Sequence, residues 1–155
     1  MQVTPENGVL MLAGPVDETA GLMALLGRAD SDNKQLVLDL GGITFINSLG
    51  VRDWIRMQAA ATQQGIKVEL RRVAEVIIHQ LNMIIATRGT AKVTSFYAPY
   101  ACDACGREET VLIDAVANAS QLQALQPPAI TCPECGAKME FNDFPERYFS
   151  FLTSS

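Results

Sequence analysis

Leu36-Val37-Leu38-Asp39-Leu40-Gly41-Gly42-Ile43-Thr44-Phe45-Ile46-Asn47-Ser48 is the stretch that decides the fold. Its first five residues are apolar except for Asp39, as in a strand buried in the middle of a parallel sheet. Gly41-Gly42 predicts a bend, and Ile43 to Ile46 leads to Asn47-Ser48, where a helix starts. Behind that start Val51, Trp54, Ile55, Gln58 and Ala61 share one helical face, and Gly65 ends the helix.

Outward from this unit the pattern repeats. Asn7-Gly8 is a turn signal before Val9-Leu10-Met11-Leu12-Ala13, a buried strand that ends at Gly14-Pro15. Asp17 is placed to cap a helix carrying Leu22, Leu25, Leu26 and Ala29, and Ser31-Asp32-Asn33 breaks it. Downstream, Val68 to Val73 alternates as a strand. Ala74 to Ile85 predicts a helix with Ile77, Ile78, Leu81, Ile84 and Ile85 inward, and Lys92 to Tyr97 predicts a last strand. The order strand, helix, strand, helix, strand, helix, strand makes the class α/β, a mixed sheet with helices mainly on one face.

All four cysteines lie beyond this region, in Cys102-Asp103-Ala104-Cys105-Gly106 and Cys132-Pro133-Glu134-Cys135-Gly136. Each Cys-x-x-Cys turn can bring two thiolates to one ion, and the glycine after it permits the left-handed backbone that aims amides at sulfur. Two such turns complete a tetrahedral shell, so Cys102, Cys105, Cys132 and Cys135 are the expected ligands of zinc, or of iron in a rubredoxin-like variant. The 26 residues between Cys105 and Cys132 exceed the usual spacing and suggest a hairpin plus an extended loop. Disulfides would require an oxidising compartment, and Met1 to Glu6 offers no basic start or apolar stretch for secretion. A thioredoxin-like redox site uses a single Cys-x-x-Cys at a helix start, not a matched pair. These readings divide the chain at Ala98-Pro99: an α/β domain over 1–97 and a small β-rich zinc ribbon with a short aromatic-faced helix over 98–155. Asp143 is that helix's expected cap, Pro145 its first turn, and the open face of the sheet its expected seat.

Charge separates the same two parts. Residues 1–97 hold nine basic and nine acidic side chains, whereas 98–155 hold three against eight and carry the whole net charge of -5. Four thiolates on a divalent ion would add about -2. Phosphate binding depends on basic residues, so a nucleic-acid role is disfavoured and a structural or protein-binding ribbon is expected. The richest apolar stretch, Val76 to Ile85, is far shorter than a membrane span, so no membrane association is expected.

Three stretches of the first part, in order, resemble a STAS domain, the fold of bacterial anti-sigma-factor antagonists and of sulfate-transporter tails. They are Gly14-Pro15-Val16-Asp17 after an early strand, Leu36-Val37-Leu38-Asp39-Leu40 as central strand, and Asn47-Ser48-Leu49-Gly50-Val51 at a helix start. The resemblance covers roughly 5–97 and excludes the ribbon. It implies that Ser48 is a phosphorylation switch acted on by a serine kinase that also serves as the anti-sigma factor, with Asn47, Gly50 and Asp17 on the same partner-binding surface. Asn47 stands where the family usually has Asp, and Leu49 where it has a small or polar residue. The implied function is a cytoplasmic regulator that works by protein binding. The alternatives are a scaffold of the same fold that is not phosphorylated and, less favoured, a transcription-associated nucleic-acid-binding zinc protein.

Physical chemistry bears on Ser48 without the family. A phosphate at a helix start sits on the positive end of the helix dipole, so it would leave the fold intact and act by placing charge in a docking surface. The plain alternative is that Ser48 or Asn47 is only an N-cap. His79, the single histidine, reads as a surface or half-buried position in mid-helix, and Trp54 reads as core. One histidine provides no Ser-His-Asp set, and there is no phosphate-binding glycine loop, so no enzymatic activity is expected.

Overall fold

The computed structural model describes residues 1–153. It is α/β, with a mixed sheet, helical crossovers and a C-terminal region that holds the cysteines. The first sheet has five strands in chain order: β1 (Gln2–Glu6), β2 (Val9–Val16), β3 (Gln35–Ile46), β4 (Lys67–Arg71) and β5 (Lys92–Val93). β1 and β2 are antiparallel across Asn7-Gly8, both at positive φ, and the remaining pairs are parallel. β1 lies upstream of the first expected strand, because Thr4-Pro5-Glu6 gives little strand signal.

Alternation along these strands decides what is buried. Leu10 and Leu12, Leu36 and Leu38, and Val68 and Leu70 are buried, while Val9, Met11, Val37 and Glu69 between them are half-exposed. The parallel crossovers are a 3₁₀ segment (Leu22–Arg28), helix α1 (Ser48–Gln63), and helix α2 (Glu75–Met83) followed by a short 3₁₀ turn (Ile85–Thr87). Leu22, Leu25 and Leu26, Trp54, Met57 and Ala61, and Ile77, Ile78 and Leu81 fill the core.

Several local expectations are revised. Asp17 does not cap the first helical segment: its carboxylate takes the Thr19 amide at 2.9 Å and hydroxyl at 2.5 Å, and Gly21, in left-handed backbone, precedes Leu22. Gly41-Gly42 does not end the strand: β3 continues through it, with its register against β2 shifting between Met11↔Asp39 and Ala13↔Gly42, and a Cβ on Gly42 would lie 2.8 Å from the Leu12 carbonyl oxygen, so the glycine allows close strand approach. α2 stops at Met83, leaving Ile84 half-exposed and Ile85 exposed. Beyond the last turn the Thr87 hydroxyl lies within hydrogen-bond distance of the Gln80 and Ile84 carbonyls, and the Arg88 guanidinium donates to that of Leu81, so side chains help satisfy the helix end.

The last predicted strand is two. Lys92–Val93 pairs with β4, and β6 (Ser95–Ala101) opens a second sheet with β7 (Glu108–Asp114), β8 (Ile130–Thr131) and β9 (Lys138–Phe141), in the order β7-β6-β9-β8. β6 therefore runs through the 97/98 boundary, and its Phe96 also bridges to Val73 of the first part. Phe96, Ala98 and Tyr100 belong to the same buried cluster as Leu81 and Ile78. Helix α3 (Ala119–Gln123), with Leu122 buried, occupies part of the long cysteine spacer.

The tail forms two short helices, α4 (Pro145–Tyr148) and α5 (Ser150–Thr153). Pro145 opens the first, as expected, but Phe144 stands at the cap position and Asp143 instead accepts from the Phe144 amide and from Arg147. The tail packs on α2 and β6 rather than on the open sheet face. Phe96, Phe141, Tyr148, Phe149 and Phe151 stack edge-to-face and offset at 4.9 to 6.4 Å. Asn82 pins it, donating to the Tyr148 carbonyl and accepting from the Phe151 amide and the Ser150 hydroxyl.

Candidate functional site

The cysteine cluster is built from two strand ends. Cys102 continues β6 and Cys132 follows β8, so the pairing β6–β9–β8 brings both knuckles to the same end of the sheet. In each knuckle the chain folds back in the same way. The Cys102 amide donates to the Arg107 carbonyl and the Gly106 amide to that of Cys102. The Cys132 amide donates to Ala137 and the Gly136 amide to Cys132. Gly106 and Gly136 have φ of 77° and 74°, and a Cβ there would meet nothing, so glycine serves the backbone angle alone.

All four Sγ atoms lie within 4.8 Å of one another, with Cys102–Cys135 at 3.4 Å and Cys105–Cys132 at 3.6 Å. A tetrahedral ion with metal–sulfur bonds of about 2.3 Å needs sulfurs about 3.8 Å apart, so the cluster can hold one. Cys102 and Cys132 are buried; Cys105 and Cys135 face outward. Backbone amides point at sulfur: Arg107 at Cys105, Ala137 at Cys135, and Cys135 and Glu134 at Cys132. Those two amides lower the Cys132 thiol to about 7. Cys105 is pushed up to about 12: the Arg107 amide opposes this, but burial and bonds to the other three sulfurs prevail. One thiolate is thus favoured and its charge resists the next, a conflict that a divalent cation removes by drawing all four protons off.

Arg107 is the feature of this site that sequence reading missed. Its guanidinium holds Glu134 at 3.0 Å and Glu109 at 3.5 Å, and its Nε is buried without a hydrogen-bond partner. This cation is held protonated chiefly by Glu109, through its hydrogen bond and charge, with smaller contributions from Glu134 and Cys132. Its place directly after Gly106 in the first knuckle was the available signal.

The second predicted group lies at the start of α1. Asn47, not Ser48, is the N-cap: its side-chain oxygen accepts from the Gly50 amide at 2.8 Å, while its Nδ2 donates to Glu18 at 3.3 Å. Ser48 is exposed in the first turn. Gly50 is buried against Val16, whose carbonyl also accepts from the Asn47 amide. Asp17 follows Val16, so the structure gathers Asp17, Asn47, Ser48 and Gly50 where β2 ends and α1 begins. Exposed Phe45 and Leu49 flank Ser48. Arg52 and Arg56 lie further along α1, both drawn to Asp53. His79 is exposed, edge-on to Tyr148, and Trp54 is core, its indole donating to the Thr87 carbonyl at 2.8 Å.

No helix among the described residues is long and apolar enough to cross a membrane. Neither protein-family models nor curated proteins match the chain.

Proposed function

We propose that this chain is a cytoplasmic regulator of the anti-sigma-factor antagonist type, a STAS-like domain whose docking face centres on Ser48 and whose ribbon is held by structural zinc. One observation carries the reading: the helix cap is supplied by Asn47, so the exposed Ser48 hydroxyl is not consumed by capping its own helix. A phosphoryl group there would lie on the positive end of α1, beside the apolar Phe45 and Leu49, and would change the charge of the surface without unfolding it. The partner is a serine kinase that doubles as an anti-sigma factor. Incubation with such a kinase and ATP should add one phosphoryl group, mapped to Ser48 by mass spectrometry. An unmodified chain beside a control antagonist that the same kinase modifies would reject it.

The second reading is a scaffold of the same fold that is never phosphorylated. It is favoured by Asn47 in place of the acidic residue beside the acceptor. Here Ser48→Ala leaves partner binding intact, while a bulky residue at 48 weakens it. Zinc is chosen over iron because four cysteine thiolates in two knuckles are the usual shell of a closed structural zinc site. Metal analysis of protein purified without chelator tests that choice.

A further inference from the structure

The two sheets have four edges among the described residues, and three are blunted. β1 carries Pro5, β5 is two residues long, and β8 is two residues long between Pro127-Pro128 and Pro133. Proteins shorten exposed edges or place proline and lysine on them, because an open row of amides and carbonyls invites another strand. β7 has none of these devices. It is seven residues long and keeps unbroken antiparallel register with β6 from Glu108↔Ala101 to Asp114↔Ser95. It contains no proline, glycine or lysine, and among the described residues no strand other than β6 pairs with it; α2 reaches it only at its first residue, Glu75.

The side chains on this strand select what it would accept. Glu108, Thr110, Leu112 and Asp114 share one face and are exposed, Leu112 by 47%. Glu75 joins them through its hydrogen bond from the Thr110 hydroxyl at 3.0 Å, and Val116 lies exposed just beyond the strand. Among the described residues no ion pair neutralises Glu108 or Asp114, although the Asp114 carboxylate accepts from the Val116 and Ala117 amides; Arg107 is engaged by Glu109 and Glu134, and Arg147 by Asp143. Two copies pairing about Val111 would set Glu108 against Asp114, carboxylate to carboxylate, so the strand discourages its own kind.

We propose that the outer edge of β7 is a docking site for an extended basic segment of a partner protein, which adds to the second sheet as a fifth strand. Main-chain hydrogen bonds supply the binding. Lysine or arginine side chains six residues apart face Glu108 and Asp114, and an apolar residue between them covers Leu112. The site is separate from the Ser48 face and does not depend on how that face is read.

The test uses the full metal-loaded chain and the peptide acetyl-Lys-Thr-Val-Thr-Val-Thr-Lys-amide. Titration calorimetry should show binding that weakens with salt, and hydrogen exchange should slow chiefly at 108–114. Two further peptides carry N-methyl groups on alternate backbone nitrogens, one on the even positions and one on the odd. An added strand turns only one set toward β7, so one peptide should lose about tenfold or more in affinity and the other should keep it. Glu108→Lys should weaken the parent peptide and strengthen one with glutamate in place of lysine. Equal binding by both N-methylated peptides would reduce the contact to loose ion pairing and overturn the proposal. So would protection centred on the knuckles near Asp103 and Glu134, absence of binding at about 1 mM peptide, or a concentration-dependent dimer that protects β7 without peptide.

Discussion

Gly50 lies so close to Val16 that a methyl group on its Cα would press into the Val16 carbonyl oxygen and stand 3.0 Å from the carbonyl carbon. This contact seats the first turn of α1 against the end of β2 and brings Ser48 beside Asp17. Gly50→Ala should displace that turn and cost about 2–3 kcal/mol. Urea unfolding measures the loss, and an unchanged midpoint would mean that the helix start has room to shift.

Asn47 explains itself through its two bonds. Its oxygen caps α1 while its amide nitrogen donates to Glu18, which an aspartate would repel. Asn47→Ala should lose about 1 kcal/mol with the cap. Asn47→Asp keeps the cap and gains from the helix dipole, but faces Glu18. It should therefore gain more in a Glu18→Gln background than alone, by about 0.5 kcal/mol. A double-mutant cycle in thermal unfolding reads this coupling, and a zero coupling term rejects the explanation.

Ser48 is exposed, so Ser48→Ala and Ser48→Asp should each keep stability within about 0.5 kcal/mol of the parent. If the Ser48 face docks a partner, the aspartate variant alone loses that binding. Binding and unfolding measured on the same samples separate the two effects.

Chelation of a metal held by the four cysteines, as proposed, should loosen both knuckles and, through β6 and β9, the Tyr100–Phe141 pair, whose rings meet at 5.6 Å. Near-ultraviolet circular dichroism should lose aromatic signal. Acid should do the same. Coordination by the proposed metal would keep the thiols deprotonated below their unfolded range near about 8.5, so its stabilisation would be full above that range and lost as pH falls. Metal release followed with a chromophoric chelator should rise on acidification. Arg107→Gln should move the release to higher pH, since the cation beside Cys132 favours its thiolate.

Asn82→Ala removes three hydrogen bonds that fasten the tail to α2. A loss of about 2–3 kcal/mol is expected, with faster hydrogen exchange over 145–152 than over β3. Uniform acceleration throughout would show that the tail is not a separable lid.

Where local chemistry dominates, the sequence was legible. β3 and α1 appeared as an apolar run and a 3.6-residue face, and Cys-x-x-Cys-Gly twice announced a cluster that the structure brings within 4.8 Å. Where tertiary contacts override local preference it was not. Ile84 and Ile85 continue the helical periodicity, yet α2 ends at Met83, where Thr87 and Arg88 reach back to carbonyls of its last turn. Asp17 has the chemistry of a cap but meets Thr19 first.

The sequence by itself determined the class, the strand–helix alternation, the two knuckles whose four cysteines cluster and the turn at which Ser48 sits, because these follow from side-chain periodicity and from residues at most a few positions apart. Only the tertiary structure decided that β6 joins both halves into one core, that the aromatic tail seats on α2 rather than on the open sheet, that Arg107 stands beside the sulfurs, and that the outer edge of β7 has no partner strand among the described residues. Each of these depends on which surfaces meet after the chain has turned back on itself, and residues far apart in sequence carry no record of that meeting in their spacing.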